Sequence, residues 1–369
     1  RLKSGANHAG VEKNNSDSKG TLTIKDDTGE KGSLTATGGA QGAGIGGAKN
    51  NSGSNIEITG GTITATGGCN NNEAGNGGAA GIGGGFNGSG TDIKITGGNV
   101  TANGSRKPDG TSGCQGAGIG GGYDKGGTNI SISGEDTVVN ANGGKYGAGI
   151  GGGAMGAGEN ITISDGAHVT ANGGAQGAGI GGGSAGWGNS YYGGSAKGIV
   201  ICDHATVAAR SNMGHGAAIG AAGENGKDTE AEVTIGTAGA TAEQEDVHVT
   251  ATGFCGSAIG NGAKDTKVTI QGHSTIRMES IRGNSTAIGS KDGNVEVNIK
   301  DNVTIDAKDE GTSIRYEGGG SSIGGEDIRG DSNRKVVVNI DGGTNGKVKI
   351  GDGVQIFGKY GAISGTEVK

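Results

Sequence analysis

The sequence predicts an all-β fold: one single-stranded parallel β-helix of about ten coils, each with three short strands. Three observations predict it. The segment Gly116-Ala117-Gly118-Ile119-Gly120-Gly121-Gly122 recurs at 42–47, 147–153 and 177–183, with a variant at 81–85 and worn copies further on. Its isoleucines (45, 82, 119, 150, 180, 219, 259, 288, 323 and 363) stand 29 to 40 residues apart, a spacing that marks a repeat architecture. Apolar pairs within each repeat alternate with the period of a strand and not of a helix. Finally, 90 of 369 residues are Gly, Pro108 is the one proline, and there are only three Phe, six Tyr and one Trp. That composition cannot fill a conventional globular core. It has no Gly-X-Y period, and its regular Ile and Val placement argues against a disordered glycine-rich tract; a β-sandwich is the other fold weighed.

The first element of each coil is an alternating pair such as Ile56/Ile58, Ile93/Ile95, Ile130/Ile132 or Ile161/Ile163. A short Gly-Gly or Asp-Gly turn leads to the second, with Val100/Ala102 or Val169/Ala171 facing inward. The third is the Gly-Ala-Gly-Ile-Gly segment, read as a strand with Ala and Ile inward and glycines outward. One coil cannot bury its apolar face alone, so like residues stack on like. Ten coils at about 4.8 Å make a rod of roughly 45–50 Å. Right-handed coiling is expected, because parallel crossovers take that hand.

The chain reads as one domain, 1–369. Residues 1–183 form regular coils, 184–232 an irregular coil with long loops, and 233–369 degenerate coils with a C-terminal cap. Val336 to Ile340 read as an extra strand, and Val348/Ile350, Val354/Ile356 and Ile363 as the last coil. The start at Arg1, with neither Met nor a signal peptide, reads as an excised or processed piece, and Gly5 to Val11 as a worn third strand.

Net charge is −7 without a basic cluster, which argues against nucleic acid. No apolar run approaches membrane-spanning length. The four cysteines (Cys69, Cys114, Cys202, Cys255) contain no C-x-x-C, so zinc is not indicated. Cys69 and Cys114 fall in the same loop of neighbouring coils and can bridge; four free thiols is the reading the sequence favours. The six histidines lack metal spacing, and the calcium repeat Gly-Gly-x-Gly-x-Asp is absent. No cofactor or metal is therefore expected beyond weak structural Ca²⁺ at acidic turns.

Gly116 to Gly121 satisfies G-x-G-x-x-G, but dinucleotide binding needs a helix after the motif, and no helical pattern follows. The glycines read instead as a bare outward face that a loop, ligand or second chain can approach closely. Four residues before each isoleucine runs a column: Gln41, Gln115, Tyr146, Gln176, His215, Cys255 and Asn284. It reads as an amide ladder closing a turn, or as hydrogen-bonding groups for sugar hydroxyls. Four or more residues after the isoleucines come Phe86, Tyr123, Met155, then Trp187, Tyr191 and Tyr192. Exposed rings on adjacent coils would form a stacking platform for pyranose faces; the alternative is that they fill the base of longer loops. Second-strand rows Thr35, Thr64, Thr101, Asn140, Thr170 and Thr37, Thr66, Asn103, Asn142, Asn172 resemble ice-ordering faces. Breaks at Ala208, Arg210, Arg277 and Asp306 favour plain solvation with Asn–Asn stacking. A glycosidase would need two carboxylates on one face. Asp165, Asp203, Asp301 and Asp341 follow the first strand, where Asp initiates turns. The best catalytic choice among them is Asp203, beside His204, with Glu224 or Asp124 as partner.

Leu2 to Gly10, Thr21-Leu22-Thr23-Ile24, Leu34 to Gly39 and the Gly-Ala-Gly-Ile-Gly-Gly-Gly repeats resemble the glycine-rich repeat regions of large secreted or wall-anchored proteins of gut Gram-positive anaerobes, adhesin-like or carbohydrate-binding β-helix proteins. The likeness covers most of 1–183 and is looser over 184–369. It implies an extracellular or cell-surface location and glycans as partners, and supplies no catalytic residues; such solenoids serve as stalks, binders and enzymes alike. The expected function is a non-catalytic glycan-binding or adhesion module using Phe86, Tyr123, Trp187, Tyr191 and Tyr192, flanked by Gln115, Tyr146, Gln176 and His215. The alternatives are a β-helix glycoside hydrolase or polysaccharide lyase, and a passive stalk. The glycan and the oligomeric state are not legible.

Overall fold

The computed structural model describes residues 1–364 except 17–18, 28–31, 71–76, 106–113, 188–189, 223–227, 241–245, 281–285, 291–292, 308–321, 326–335, 342–347, 351–354 and 358–359. The chain is a parallel β-helix. Three sheets of eleven strands each run its length, and each sheet takes every third strand of the winding. One antiparallel pair, Ser184–Trp187 with Ser190–Gly193, stands outside them.

The first sheet holds the Ile-x-Ile strands, from Leu22–Ile24 through Gly53–Ile58, Gly90–Ile95, Gly127–Ser133 and Gly158–Ser164 onward. Its registers put Ile130 between Ile93 and Ile161, and Ile132 between Ile95 and Ile163. The second sheet stacks strands such as Thr62–Thr66, Gly98–Asn103, Thr137–Asn142 and His168–Asn172. Val100 lies between Ile63 and Val139, and Ala102 between Ala65 and Ala141. In the third sheet Ile45, Ile82, Ile119, Ile150, Ile180, Ile219, Ile259, Ile288 and Ile323 form one file. All nine are fully buried. Each buried isoleucine contributes about 1.5–3 kcal/mol, and only stacking removes its upper and lower surfaces from water.

The second half keeps the same winding. Val336–Asp341 is a regular member of the first sheet, pairing with Asn294–Lys300, and not an extra strand. That moves each later segment one place on. Lys349–Ile350 joins the second sheet, Gln355–Phe357 the third, and Tyr360–Ser364 the first. Ile356 therefore ends the third-sheet file, and Ile363 pairs with Ile340. At the other end Val11 pairs with Ile45, so the worn third strand is there.

Outward polar rows pair along the axis. The Asn142 amide donates to Asn103 Oδ1 at 3.0 Å, and that of Asn172 to Asn142 at 2.9 Å, which is the Asn–Asn stacking expected of that row. In the first sheet Asn55, Asp92, Asn129 and Asn160 adopt φ of +52° to +56°. This left-handed step suits Asn and Asp, and Asn160 donates to Asn129, which donates to Asp92.

Candidate functional site

The third segment is not an extended strand. Its strand is only Ile and the following Gly, and around them, although flanking N–H groups still bond to the next coil, the chain doubles back. The N–H two residues before each isoleucine donates to the carbonyl two residues after it: Ala43 to Gly47, Ala80 to Gly84, Ala117 to Gly121 and Ala148 to Gly152, at 2.8–2.9 Å. The glycine after each isoleucine has φ between +114° and +142° over eight coils. A Cβ there would collide with the next coil's carbonyl oxygen, Gly151 O in the case of Gly120. The expected bare outward glycine face is thus corrected: residues 42–47 and 116–122 are all buried. Glycine is required because backbone packs on backbone and the turn needs a conformation closed to other residues.

Doubling back brings the two predicted columns together. The residue four after one isoleucine donates its N–H to the carbonyl of the residue four before the isoleucine (Val11 in the first case) of the preceding coil. The pairs are Lys49 to Asn7, Phe86 to Gln41, Tyr123 to Gly78, Ala154 to Gln115 and Ser184 to Tyr146, all 2.7–2.9 Å. Loop tips and ladder therefore share one corner of the solenoid.

Along this corner Phe86 and Tyr123 are half-buried and stacked, with centroids 5.5 Å and planes 12° apart. Phe86 also covers Gly77, where any Cβ would meet the ring. Each ring thus gives a face to its neighbour. The next tip carries the fully buried Ala154 and the half-buried Met155, the latter at φ +61°. One coil further, Gly194 N–H closes on Gly183 O at 2.8 Å, as Gly88 closes on Gly85, and ten residues stand where the four preceding coils have two. They form the antiparallel pair, with Trp187 opposite Ser190, Gly186 opposite Tyr191 and Ala185 opposite Tyr192.

The ladder is mixed. Gln41 and Gln115 are 1 % exposed, and the amide Nε2 of Gln41 and Oε1 of Gln115 and Gln176 find no partner within the chain. Gly78 and Tyr146 interrupt the column, so the glutamines do not hydrogen-bond to one another. Tyr146 is half-buried with the Lys145 ammonium 4.9 Å above its ring centroid, a cation–π contact at the root of the hairpin. The His215 carbonyl accepts Asn261 Nδ2 at 2.7 Å. Asn284 lies outside the described residues.

Of the three proposed acids, Asp203 and Asp124 stand at different corners of different coils. Asp203 sits at φ +49° between the first- and second-sheet strands Ala196–Ile201 and Thr206–Arg210. Its Oδ1 accepts from the Thr237 hydroxyl at 2.6 Å and its Oδ2 from the Cys202 thiol at 3.1 Å. The Thr237 hydrogen bond, with lesser help from Cys202 and His204, lowers its carboxyl below the ordinary Asp range against the effect of burial. Asp203 is a turn carboxylate whose oxygens are engaged. Asp124, exposed at φ +57°, stands at the loop-tip corner of an earlier coil. Glu224 lies outside the described residues. No group of three or more His, Cys, Asp or Glu among the described residues is arranged to hold a metal ion, and no helix there is long and apolar enough to cross a membrane.

Cys69 and Cys114 are joined in a disulfide, Cα to Cα 5.7 Å, which corrects the reading of four free thiols. They lie in the second-to-third loops of adjacent coils, the coils that carry Phe86 and Tyr123. Equal position in neighbouring repeats was the signal. Two features went unread in the sequence: Lys145 over Tyr146, and Thr237 as the clamp on Asp203. The first joins adjacent residues and the second crosses from one coil to the next.

Residues 93–123, 130–154 and 161–184 match the family model described as a beta helix repeat. No curated protein and no solved structure matches the chain.

Proposed function

We propose that this β-helix is a non-catalytic glycan-binding or adhesion module of an extracellular or cell-surface bacterial protein, and that its ligand meets the hairpin-bearing corner. The carrying observation is the ten-residue ribbon at 184–193. It sets Trp187, Tyr191 and Tyr192 at the corner where each of the four preceding coils has a two-residue tip. Aromatic residues are the side chains best suited to the apolar face of a sugar ring, and this chain has only ten. Phe86 and Tyr123, being stacked on each other, serve as the rigid flank of the site and not as its floor. Tyr146 roots the ribbon, and Gln115, Gln176 and His215 line the same corner. The disulfide supports an oxidising compartment.

The double substitution Trp187→Ala/Tyr192→Ala tests the reading on a glycan array. Loss of retention supports it; retention equal to the parent chain rejects this corner. If neither chain binds any glycan, the solenoid is a stalk.

A further inference from the structure

The outward face of the second sheet carries a second site. Strands Ser33–Thr37, Thr62–Thr66, Gly98–Asn103, Thr137–Asn142 and His168–Asn172 pair in unbroken register. Their outward positions form three straight rows of five. One row is Ser33, Thr62, Asn99, Val138 and His168; the next is Thr35, Thr64, Thr101, Asn140 and Thr170. The third is Thr37, Thr66, Asn103, Asn142 and Asn172. All fifteen side chains are exposed or half-buried, and none is Asp, Glu, Lys or Arg. At the usual surface density of about 25–35 % charged residues, such a patch would carry about four or five.

Folding does not impose this neutrality. In later coils the same three rows take Arg210, Arg277 and Asp306, all exposed, and Arg277 pairs in register with Thr250 and Asp306. The first sheet, over the same coils, is charged in the ordinary way with Glu57, Asp92, Lys94 and Glu159, and Lys94 pairs with Glu57 at 3.1 Å. Charge is excluded from one face over five coils of a chain whose net charge is −7.

We infer that this face binds a neutral polysaccharide. Hydroxyls and amides at a repeat of about 4.8 Å along the axis both donate and accept, as sugar hydroxyls do, and threonine methyl groups supply apolar contact to ring C–H groups. Within these five coils an anionic polymer would find no lysine or arginine; Lys3 and Arg210 stand only at the two ends of the third row. The flat sheet suits an extended chain or a packed surface of chains better than a short branched end. The Asn103–Asn142–Asn172 ladder holds its amides in place while leaving each a free donor or acceptor direction. This inference does not depend on the ribbon corner.

The test is co-sedimentation of the full chain with amorphous cellulose and with an insoluble β-1,3-glucan, using insoluble cross-linked polygalacturonate as the acidic control. The Thr64→Lys/Asn140→Lys variant, whose lysines stand two coils apart, should bind the neutral polymers at least tenfold more weakly and melt at the parent temperature, since later coils accept Arg on this face. Trp187→Ala/Tyr192→Ala should sediment as the parent does, which separates this face from the corner. Absence of parent binding to both neutral polymers, binding unchanged by the two lysines, or equal binding to polygalacturonate would overturn the inference. So would a concentration-dependent dimer, seen by sedimentation velocity, that the lysines abolish; the face would then be an interface between copies.

Discussion

Phe86 and Tyr123, 37 residues apart in sequence, lie one coil above the other with their rings stacked at 5.5 Å. Each backbone N–H is anchored on the ladder of the preceding coil, Phe86 on Gln41 and Tyr123 on Gly78. The pair therefore stiffens the corner between two coils. Replacing either ring by Ala should cost about 1–3 kcal/mol, because each is only half-buried. The double-mutant cycle should return a coupling of about 0.5–1.5 kcal/mol, read from denaturant midpoints. A coupling of zero would mean that the stack contributes nothing to the fold.

Gly120→Ala should be more damaging than its one-carbon change implies. Its φ is +130° and the added Cβ would strike Gly151 O. Backbone strain alone is worth about 1–3 kcal/mol, and displacement of the next coil adds to it. Ile119→Val, which removes one buried methylene, should cost only about 0.5–1.5 kcal/mol. Thermal melts of the two variants give the order; a milder loss at Gly120 would contradict the backbone-on-backbone account.

Reducing the Cys69–Cys114 bond, or replacing both residues by Ser, frees a 45-residue separation. The expected destabilisation is about 2–4 kcal/mol. It should appear as a lower melting temperature under reducing conditions, with no such shift in the double serine variant.

Cys202 should behave as an inert thiol. Burial chiefly, and then its hydrogen bond to Asp203, pushes its pKa up from 9.0 to about 12. The folded state keeps a proton that the unfolded state releases above pH 9. The resulting stabilisation is complete below that pH and is lost as pH rises towards 12. Cys202→Ala should flatten the fall in stability across this alkaline window. Reaction of Cys202 with a disulfide reagent at pH 8 should be slow until denaturant is added.

Much of the fold was legible because stacking turns sequence position into column position. Ile56, Ile93, Ile130 and Ile161 recur at matched points, and the registers follow. The third segment misled because Gly-Ala-Gly-Ile-Gly alternates in the same way whether the chain runs straight or doubles back. Only the positive φ at Gly46, Gly83 and Gly120 separates the two, and periodicity carries no sign of φ. The end of the chain was misread because Val336-Val337-Val338 is an unbroken apolar run that hides the alternation of a first-sheet pair, so the count slipped by one strand. At the site, the nearness of Phe86 to Gln41 was hidden, since it depends on that same reversal.

Because the interior files of the coils from Ile45 to Ile180 pass from coil to coil without a change of register, each junction there asks the same thing of its neighbours. Whole windings can be duplicated or lost among these coils with no junction redesigned. The ribbon's distance from whatever adjoins the solenoid is thus graduated in steps of about 4.8 Å, a ruler whose markings are set by gene length alone.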